Sequence, residues 1–172
     1  LQPFFHVVRT LSLGLRWTVT TTVVRVTQPG VAATLSVPLL RGESPTSDAV
    51  RVENGAVRVQ LGPQQTTIEW ESVLEATDRL ALHAPNDVSF AERWRLDASV
   101  LWHGETTGIP PIHDERAGRS ARIREWRPWP GEKVGLAIAR PSGVAGATLT
   151  LDRAQLDVAP GLRASDLTLQ LD

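Results

Sequence analysis

Apolar and polar residues alternate along much of this chain, and this period of two restricts it to β structure. Apolar residues occupy every second position in the stretches 31–39, 94–102 and 134–138. Such spacing places the apolar side chains on one face of a pleated strand. Dense β-branched residues, as in the stretch 18–24, also favour strands over helices. We therefore predict an all-β fold.

One hairpin can be predicted together with its register. Asn54-Gly55 is a strong signal for a type I′ turn, because both central residues of that turn take positive φ. A two-residue loop at this point pairs Val52 with Val57. If the next strand continues as a meander, Val57 also faces Trp70. The pattern predicts local antiparallel structure with one buried face.

Turn-forming residues divide the chain into short segments. Proline and glycine recur at intervals that suit about ten to twelve short strands, with residues 148–150 in one of them. Helical spacing is weakly met only at 71–82. An antiparallel two-sheet β-sandwich buries the alternating faces against each other and is the predicted architecture, with a barrel as the second choice. No repeat or long linker divides the chain, so we expect one domain, residues 1–172.

Charge and composition exclude several classes of function. The formal net charge is −1, and no basic stripe exists, so nucleic acid is not an expected partner. Every basic residue except Lys133 is arginine, which we attribute to a GC-rich genome. Cysteine is absent, which excludes disulfides and zinc–thiolate sites, and we expect no cofactor. No segment approaches the ~20 apolar residues of a membrane span, so this segment is not expected to insert into a membrane.

Bulky aromatics, titratable groups and prolines coincide between Trp94 and Gly131, where we expect any binding site. Trp102, Trp126 and Trp129 are candidates for an aromatic platform beneath a sugar ring, with nearby carboxylates accepting hydrogen bonds from hydroxyl groups. The favoured alternative is that these tryptophans cap the end of a sandwich or pack in its core. The candidate ligand-binding residues are Trp102, Glu105, His113, Asp114, Trp126 and Trp129.

Histidines and carboxylates in the same stretch raise the question of a metal site. Imidazole and carboxylate groups suit zinc or manganese. Their spacing matches no known ligand motif, and polar residues near loops are common without any metal. We therefore expect no metal site. The residues concerned are His103, Glu105, His113, Asp114 and Glu115.

Motifs of catalysis are missing from the sequence. The chain has no Gly-x-Ser-x-Gly nucleophile elbow, no Walker loop and no Gly-x-Gly-x-x-Gly motif that opens a helix. Acidic residues are scattered, and their positions do not reveal a facing pair of the kind that glycosidases use. No catalytic residue is predicted, and a glycoside-active enzyme is the least favoured function.

Four phrases of the sequence occur together in an order that is familiar from one group of proteins. They are Val37-Pro38-Leu39-Leu40-x-Gly42-Glu43-Ser44, Val50-Arg51-Val52-Glu53-Asn54-Gly55, Trp126-Arg127-Pro128-Trp129-Pro130-Gly131-Glu132 and Pro160-Gly161-Leu162-Arg163-Ala164-Ser165-Asp166. Over most of its length the chain resembles an extracytoplasmic, β-rich segment of large uncharacterised integral membrane proteins of proteobacteria. The resemblance implies a periplasmic location, tethered to the inner membrane through a parent protein, and it implies no activity.

The function expected from these observations is that of a non-catalytic interaction or scaffolding module. We expect a domain excised from a longer, membrane-anchored protein, because both ends of the chain have the pattern of strands rather than of frayed tails. The expected partners are neighbouring domains of the same parent chain or another envelope protein, through exposed strand edges at those ends. The alternative is a carbohydrate-binding module, in which case the partner is a glycan.

Overall fold

The described residues form strands and no helix, which confirms the all-β prediction. The computed structural model describes residues 2–117, 121–141, 154–161 and 165–171. The chain divides into two compact units, Leu1–Pro141 and Ser142–Asp172. No helix in the described part is long and apolar enough to cross a membrane. The strands are β1 (Phe5–Leu13), β2 (Trp17–Arg25), β3 (Ala33–Pro38), β4 (Glu43–Pro45), β5 (Arg51–Glu53), β6 (Ala56–Leu61), β7 (Thr67–Leu74), β8 (Arg79–His83), β9 (Phe90–Ser99), β10 (His103–Gly108), β11 (His113–Ala117), β12 (Ala121–Trp126), β13 (Lys133–Ala139), β14 (Ala154–Pro160) and β15 (Ser165–Leu171).

A seven-stranded sheet in the order β11-β12-β9-β1-β2-β7-β4 forms the framework of the first unit. The expectation of purely antiparallel sheets is wrong at one pair, because β1 and β9 run parallel. A parallel pair needs a long crossover connection, and the seven strands between β1 and β9 supply it. The expectation of an exposed edge at the first strand is also wrong, since β2 and β9 flank β1 on both sides.

Two three-stranded sheets, β3-β6-β5 and β10-β13-β8, complete the first unit. Each shares a hydrophobic core with the large sheet. One core joins residues of β3 and β6 to β1, β2, β7 and β9, and the other joins residues of β8 and β13 to the same large sheet. No sheet of the described residues closes on itself, so the barrel alternative is not realised.

The predicted Asn54-Gly55 hairpin is present, with φ of 51° and 75° at its two central residues. Val52 pairs with Val57 as expected. The predicted meander pair of Val57 with Trp70 is wrong, because β6 pairs with β3 while β7 joins the large sheet. The two side chains still meet in one core, so the pattern identified the buried face but not the neighbouring strand.

The weak helical spacing at 71–82 does not produce a helix. This stretch contains the end of β7 and most of β8, and both strands have the alternating burial of a sheet with one covered face. The alternation of apolar residues at period two therefore outweighs the partial match to a helical spacing. The described residues contain fifteen strands, more than the ten to twelve expected from turn residues.

A buried ionic network separates the two cores. Arg9 lies in the middle of β1 and is only 2% exposed. Its Nε donates to Glu92 Oε1 at 3.1 Å, and its Nη1 lies 3.5 Å from Glu43 Oε2. Its other terminal nitrogen donates to the carbonyl of Pro38. Glu92 accepts a further bond from Trp94 Nε1 at 2.7 Å, so the network connects the four strands β1, β3, β4 and β9.

The described residues of the second unit form an antiparallel pair of strands, β14 and β15, called here the β14–β15 hairpin. In its register Leu156 faces Leu169 and Val158 faces Leu167, so four apolar side chains share one face. All four are exposed. The strand predicted at 148–150 lies outside the described residues.

Candidate functional site

The β11–β12 hairpin extends the large sheet with arginines on the face that elsewhere carries the core. Antiparallel pairing sets Arg116 opposite Arg122. On the next strand, β9, Arg122 faces Ala98 and Arg124 faces Leu96. Because side chains directly opposite each other share a face, the inner face changes from apolar on β9 to cationic on β12 and β11.

A cavity of about 440 Å³ lies over this boundary, between the large sheet and the β10-β13-β8 sheet. We call it the arginine cavity. Its floor consists of apolar side chains that are themselves part of the core. Its volume falls in the range of small-molecule sites. The lining residues are Leu13, Leu96, Ala98, Ser99, Val100, Trp102, His103, Gly104, Arg116, Ala121, Arg122, Arg124, Leu136 and Ile138.

One carboxylate holds two of the three arginines in place. Arg122 donates from Nε and Nη2 to the two oxygens of Asp114, at 2.7 and 2.6 Å. Asp114 Oδ2 also lies 3.5 Å from Arg124 Nε. These contacts, led by the hydrogen bonds from Arg122, hold the pKa of Asp114 below its ordinary value. Asp114 is therefore an internal anion at the cationic side of the cavity.

Arg124 is the most enclosed of the three arginines. Its Nη1 donates to the carbonyl of Gly104 at 2.9 Å, which links β12 to β10 across the cavity. Burial, followed by the nearby positive charge of Arg122, lowers its pKa. Both causes disfavour a positive charge at this position. Among the described residues, three guanidinium groups line the cavity and one carboxylate, that of Asp114, pairs with two of them, so these groups together carry an excess of positive charge.

Trp102, a predicted site residue, forms part of the cavity wall. It is half-buried, and its Nε1 donates to the carbonyl of Gly14 at 2.8 Å. Its ring packs edge-on against Trp17, with ring centroids 5.2 Å apart. The guanidinium carbon of Arg140 lies 5.2 Å from its ring centroid. The indole is therefore fixed from several sides and supplies a rigid wall.

The predicted aromatic platform does not form, and Trp126 must be corrected as a ligand candidate. Trp126 is 0% exposed and packs in the core next to Trp94, so it offers no face to a ligand. Its inward position follows from the alternation of β12. Trp129 is 76% exposed, but it lines a separate cleft of about 270 Å³ beside Val88. The three indoles therefore do not share a surface.

The remaining candidates are exposed residues that do not line the arginine cavity. Glu105 is exposed on β10, and His113 is exposed at the start of β11, where its Nε2 lies 3.1 Å from Glu115 Oε2. Alternation along β11 puts the side chains of His113 and Glu115 on the face opposite that of Asp114. Within the described residues, no three histidine, aspartate or glutamate side chains converge on a common point. Of the six candidate ligand-binding residues, Trp102 lines the arginine cavity, and Asp114 pairs with two of its arginines without lining it.

The comparisons with protein families and curated proteins give no indication of function, so the function is inferred from the geometry of the site. No protein-family model matches the chain, and no curated protein matches it. The resemblance to an extracytoplasmic segment of proteobacterial membrane proteins therefore stays an expectation from the sequence.

Sequence reasoning missed the three arginines that define the cavity. We had attributed the abundance of arginine to genome composition. A local signal was present, since Arg122-Ile123-Arg124 spaces two guanidiniums by one residue and Arg116 lies six positions before Arg122. On a hairpin this spacing places all three on one face.

Proposed function

We propose that the first unit is a non-catalytic binding module whose site is the arginine cavity. The observation that carries the proposal is the combination of an apolar floor with a polar, positively charged side. Binding sites for small molecules are mostly apolar concavities with a few polar groups that fix the orientation of the ligand. We also infer that the module is a β-sandwich, with the large sheet as one layer and the two small sheets as the other.

The apolar floor supplies the driving force in this proposal. Leu96 and Ala98 project from the large sheet, and Leu136 and Ile138 project from the small sheet that faces it. A ligand that covers this floor removes apolar surface from water, which is worth about 25 cal/mol per Å². Trp102 is held in place before binding, so little side-chain entropy is lost when a ligand contacts it.

The wider role remains that of an interaction or scaffolding module in the periplasmic part of a membrane-anchored protein. Its support is the resemblance described above and the exposed apolar face of the β14–β15 hairpin. An isolated two-stranded hairpin is marginally stable in water, and a neighbouring domain that covered this face would stabilise it. A carbohydrate platform has less support, because it lacks the ring of Trp126.

The test is the binding of a neutral apolar dye, Nile red, whose fluorescence rises when it leaves water. We expect the wild-type chain to bind the dye and Ala98→Leu to weaken binding about tenfold, because the larger side chain occupies the cavity. Val100→Trp, at an exposed lining position, is a second way to obstruct the cavity without altering the core. Thermal unfolding verifies that each variant is folded.

Val31→Leu is the matched control, since Val31 is exposed, lies outside the cavity and gains a comparable apolar side chain. Its dye affinity should equal that of the wild type. If folded Ala98→Leu and folded Val100→Trp both bind the dye as the wild type does, the arginine cavity is not the binding site.

A further inference from the structure

We propose that the ligand of the arginine cavity is an amphiphile with an oxyanion head group and an apolar tail. This inference rests on the proposed function and adds the chemical class of the ligand. The head group would lie against Arg116 and Arg122, and the tail would cover the floor at Leu96 and Ala98. The shared chemistry is that of a carboxylate or a phosphate attached to an alkyl chain.

The first argument is the balance of charge around the cavity. Three arginines line it, and within the described ranges Asp114 is the one carboxylate that pairs with any of them, namely with Arg122 and Arg124. No ion pair joins Arg116 to a carboxylate of the described residues. An arriving oxyanion would offset this excess, and guanidinium groups bind carboxylate and phosphate through paired hydrogen bonds. A neutral or cationic ligand would leave the excess uncompensated.

The second argument is the order of side chains across the sheet. Along one row, Arg116 faces Arg122, and Arg122 faces Ala98. Neighbouring strands lie about 4.8 Å apart, so a ligand passes from cationic to apolar surface within one or two strand spacings. A small inorganic anion would use only the cationic part, and a hydrocarbon only the floor. An amphiphile matches both parts at once.

The third argument is the enclosure of Arg124. Its neighbours already disfavour its positive charge, because it is buried and close to Arg122. The carboxylate of Asp114 neutralises Arg122 and Arg124 only partly, since its two short contacts both go to Arg122. A second anion at the cavity would stabilise both guanidiniums. Asp114 thereby acts as an internal competitor for the head group of the ligand.

The experiment compares four amphiphiles with ten-carbon chains, counting the carboxyl carbon of decanoate, below their micelle concentrations by displacement of Nile red. The probes are decanoate, decyl phosphate, decanol and decyltrimethylammonium. We expect the two anions to bind about tenfold more tightly than decanol, and the cation to bind most weakly. This preference should shrink as salt is raised, because Debye screening weakens partly exposed charges. Tighter binding of decanoate would indicate a free fatty acid as the source, and tighter binding of decyl phosphate a phospholipid-like molecule.

Two variants separate recognition of the anion from a structural role. Arg116→Gln should weaken decanoate binding about fivefold and leave decanol unchanged. Arg95→Gln is the matched control, because Arg95 is exposed on the opposite face of β9 and should change neither affinity. Asp114→Asn removes the internal competitor, so decanoate should bind more tightly even though the hairpin loses an ion pair. If Asp114 had a structural role only, Asp114→Asn would weaken the binding of decanoate or leave it unchanged.

The outcomes distinguish this inference from the function on which it rests. If decanol binds as tightly as decanoate, and both are lost in Ala98→Leu, the cavity binds apolar molecules and the inference about the head group is wrong. If no probe binds and Nile red is not taken up, the proposed function itself fails. Weaker binding of decanoate to Asp114→Asn would also overturn the assignment of Asp114 as a competitor.

Discussion

Arg9→Met tests how the inner face of the large sheet accommodates charge between two apolar cores. Arg9 contacts Glu92 and Glu43, and side chains of all three are at most 3% exposed. Methionine keeps much of the aliphatic stem of arginine, so the loss of packing is small. The substitution therefore removes a buried cation with little change in shape.

The expected cost follows from what the two carboxylates retain. Glu92 keeps the hydrogen bond from Trp94 Nε1 at 2.7 Å, and Glu43 keeps the one from the Leu40 N–H at 2.8 Å. Oε1 of Glu43 has no partner among the described residues. Two buried negative charges then face each other without a cation. Removing one partner of a buried ion network costs about 3–5 kcal/mol, a large part of the ~5–15 kcal/mol that stabilises a domain.

The assay is urea unfolding at pH 7 followed by tryptophan fluorescence. All six tryptophans lie in the first unit, so the signal reports the unfolding of that unit. We expect the free energy of unfolding to fall by about 3–5 kcal/mol in Arg9→Met. The matched control is Arg9→Met with Glu43→Gln and Glu92→Gln, which keeps the acceptors for Trp94 and Leu40 but removes both charges. It should be more stable than Arg9→Met alone by about 2 kcal/mol.

Two results would refute this reasoning. A loss below about 1 kcal/mol in Arg9→Met would mean that the two carboxylates are solvated without the arginine. A triple variant less stable than Arg9→Met would mean that the charges of Glu43 and Glu92 are not the source of the cost. In either case the ion pairs of Arg9 with Glu43 and Glu92 would not contribute to the free energy of unfolding as a buried ion cluster does.

Two further predictions concern a glycine and the pH dependence of stability. Gly108→Ala should cost about 2–4 kcal/mol in urea unfolding, because φ is +98° and a Cβ would overlap the backbone oxygen of Lys133. Gly55→Ala, at φ +75° with open space around it, should cost only about 1 kcal/mol, and equal losses would contradict this account. Hydrogen bonds from Arg122 and Arg93 lower the pKa of Asp114 and of Glu125, respectively. The stabilisation that these two carboxylates contribute is therefore present above the ordinary carboxylate range. It is lost as the pH falls from about 4 through the lower pKa values of the folded protein. Urea unfolding across acid pH should show this loss, and the same slope in Asp114→Asn with Glu125→Gln would disprove it.

The fold class was predictable because burial in a sheet repeats every two residues. The alternation within residues 31–39 and 94–102 identified β3 and β9 and their inner faces, although the pattern overran both strands, since Val31 and Val100 are exposed outside them. Asn54-Gly55 identified one turn with its register. The partners of each strand were not predictable in the same way. Val57 and Trp70 lie in one core on different sheets, and an alternating pattern is equally satisfied whether its neighbour is paired beside it or packed across from it.

Charged residues on inner faces were the part of the pattern that sequence reasoning passed over. Arg9 stands at an inward position between Val7 and Leu11, in a row that is otherwise apolar. A charged residue at such a position costs free energy unless it is paired, so it signals either a buried network or an open site. The abundance of arginine in the whole chain made individual arginines uninformative until the strand faces were known.

The same rule separates the two groups of inward arginines by what encloses them. Arg9 lies on the central strand, where a sheet covers it and two carboxylates neutralise it, so its network is structural. Arg116 and Arg122 lie on the edge hairpin, where the facing sheet leaves a cavity and Arg122 shares its carboxylate partner, Asp114, with Arg124. A charged side chain on the inner face that is covered by a sheet and paired with carboxylates stabilises specific packing. An arginine on the inner face beside an open cavity can still bind an anion. That difference in enclosure directs the search for a ligand to the β11–β12 edge rather than to the exposed tryptophan at 129.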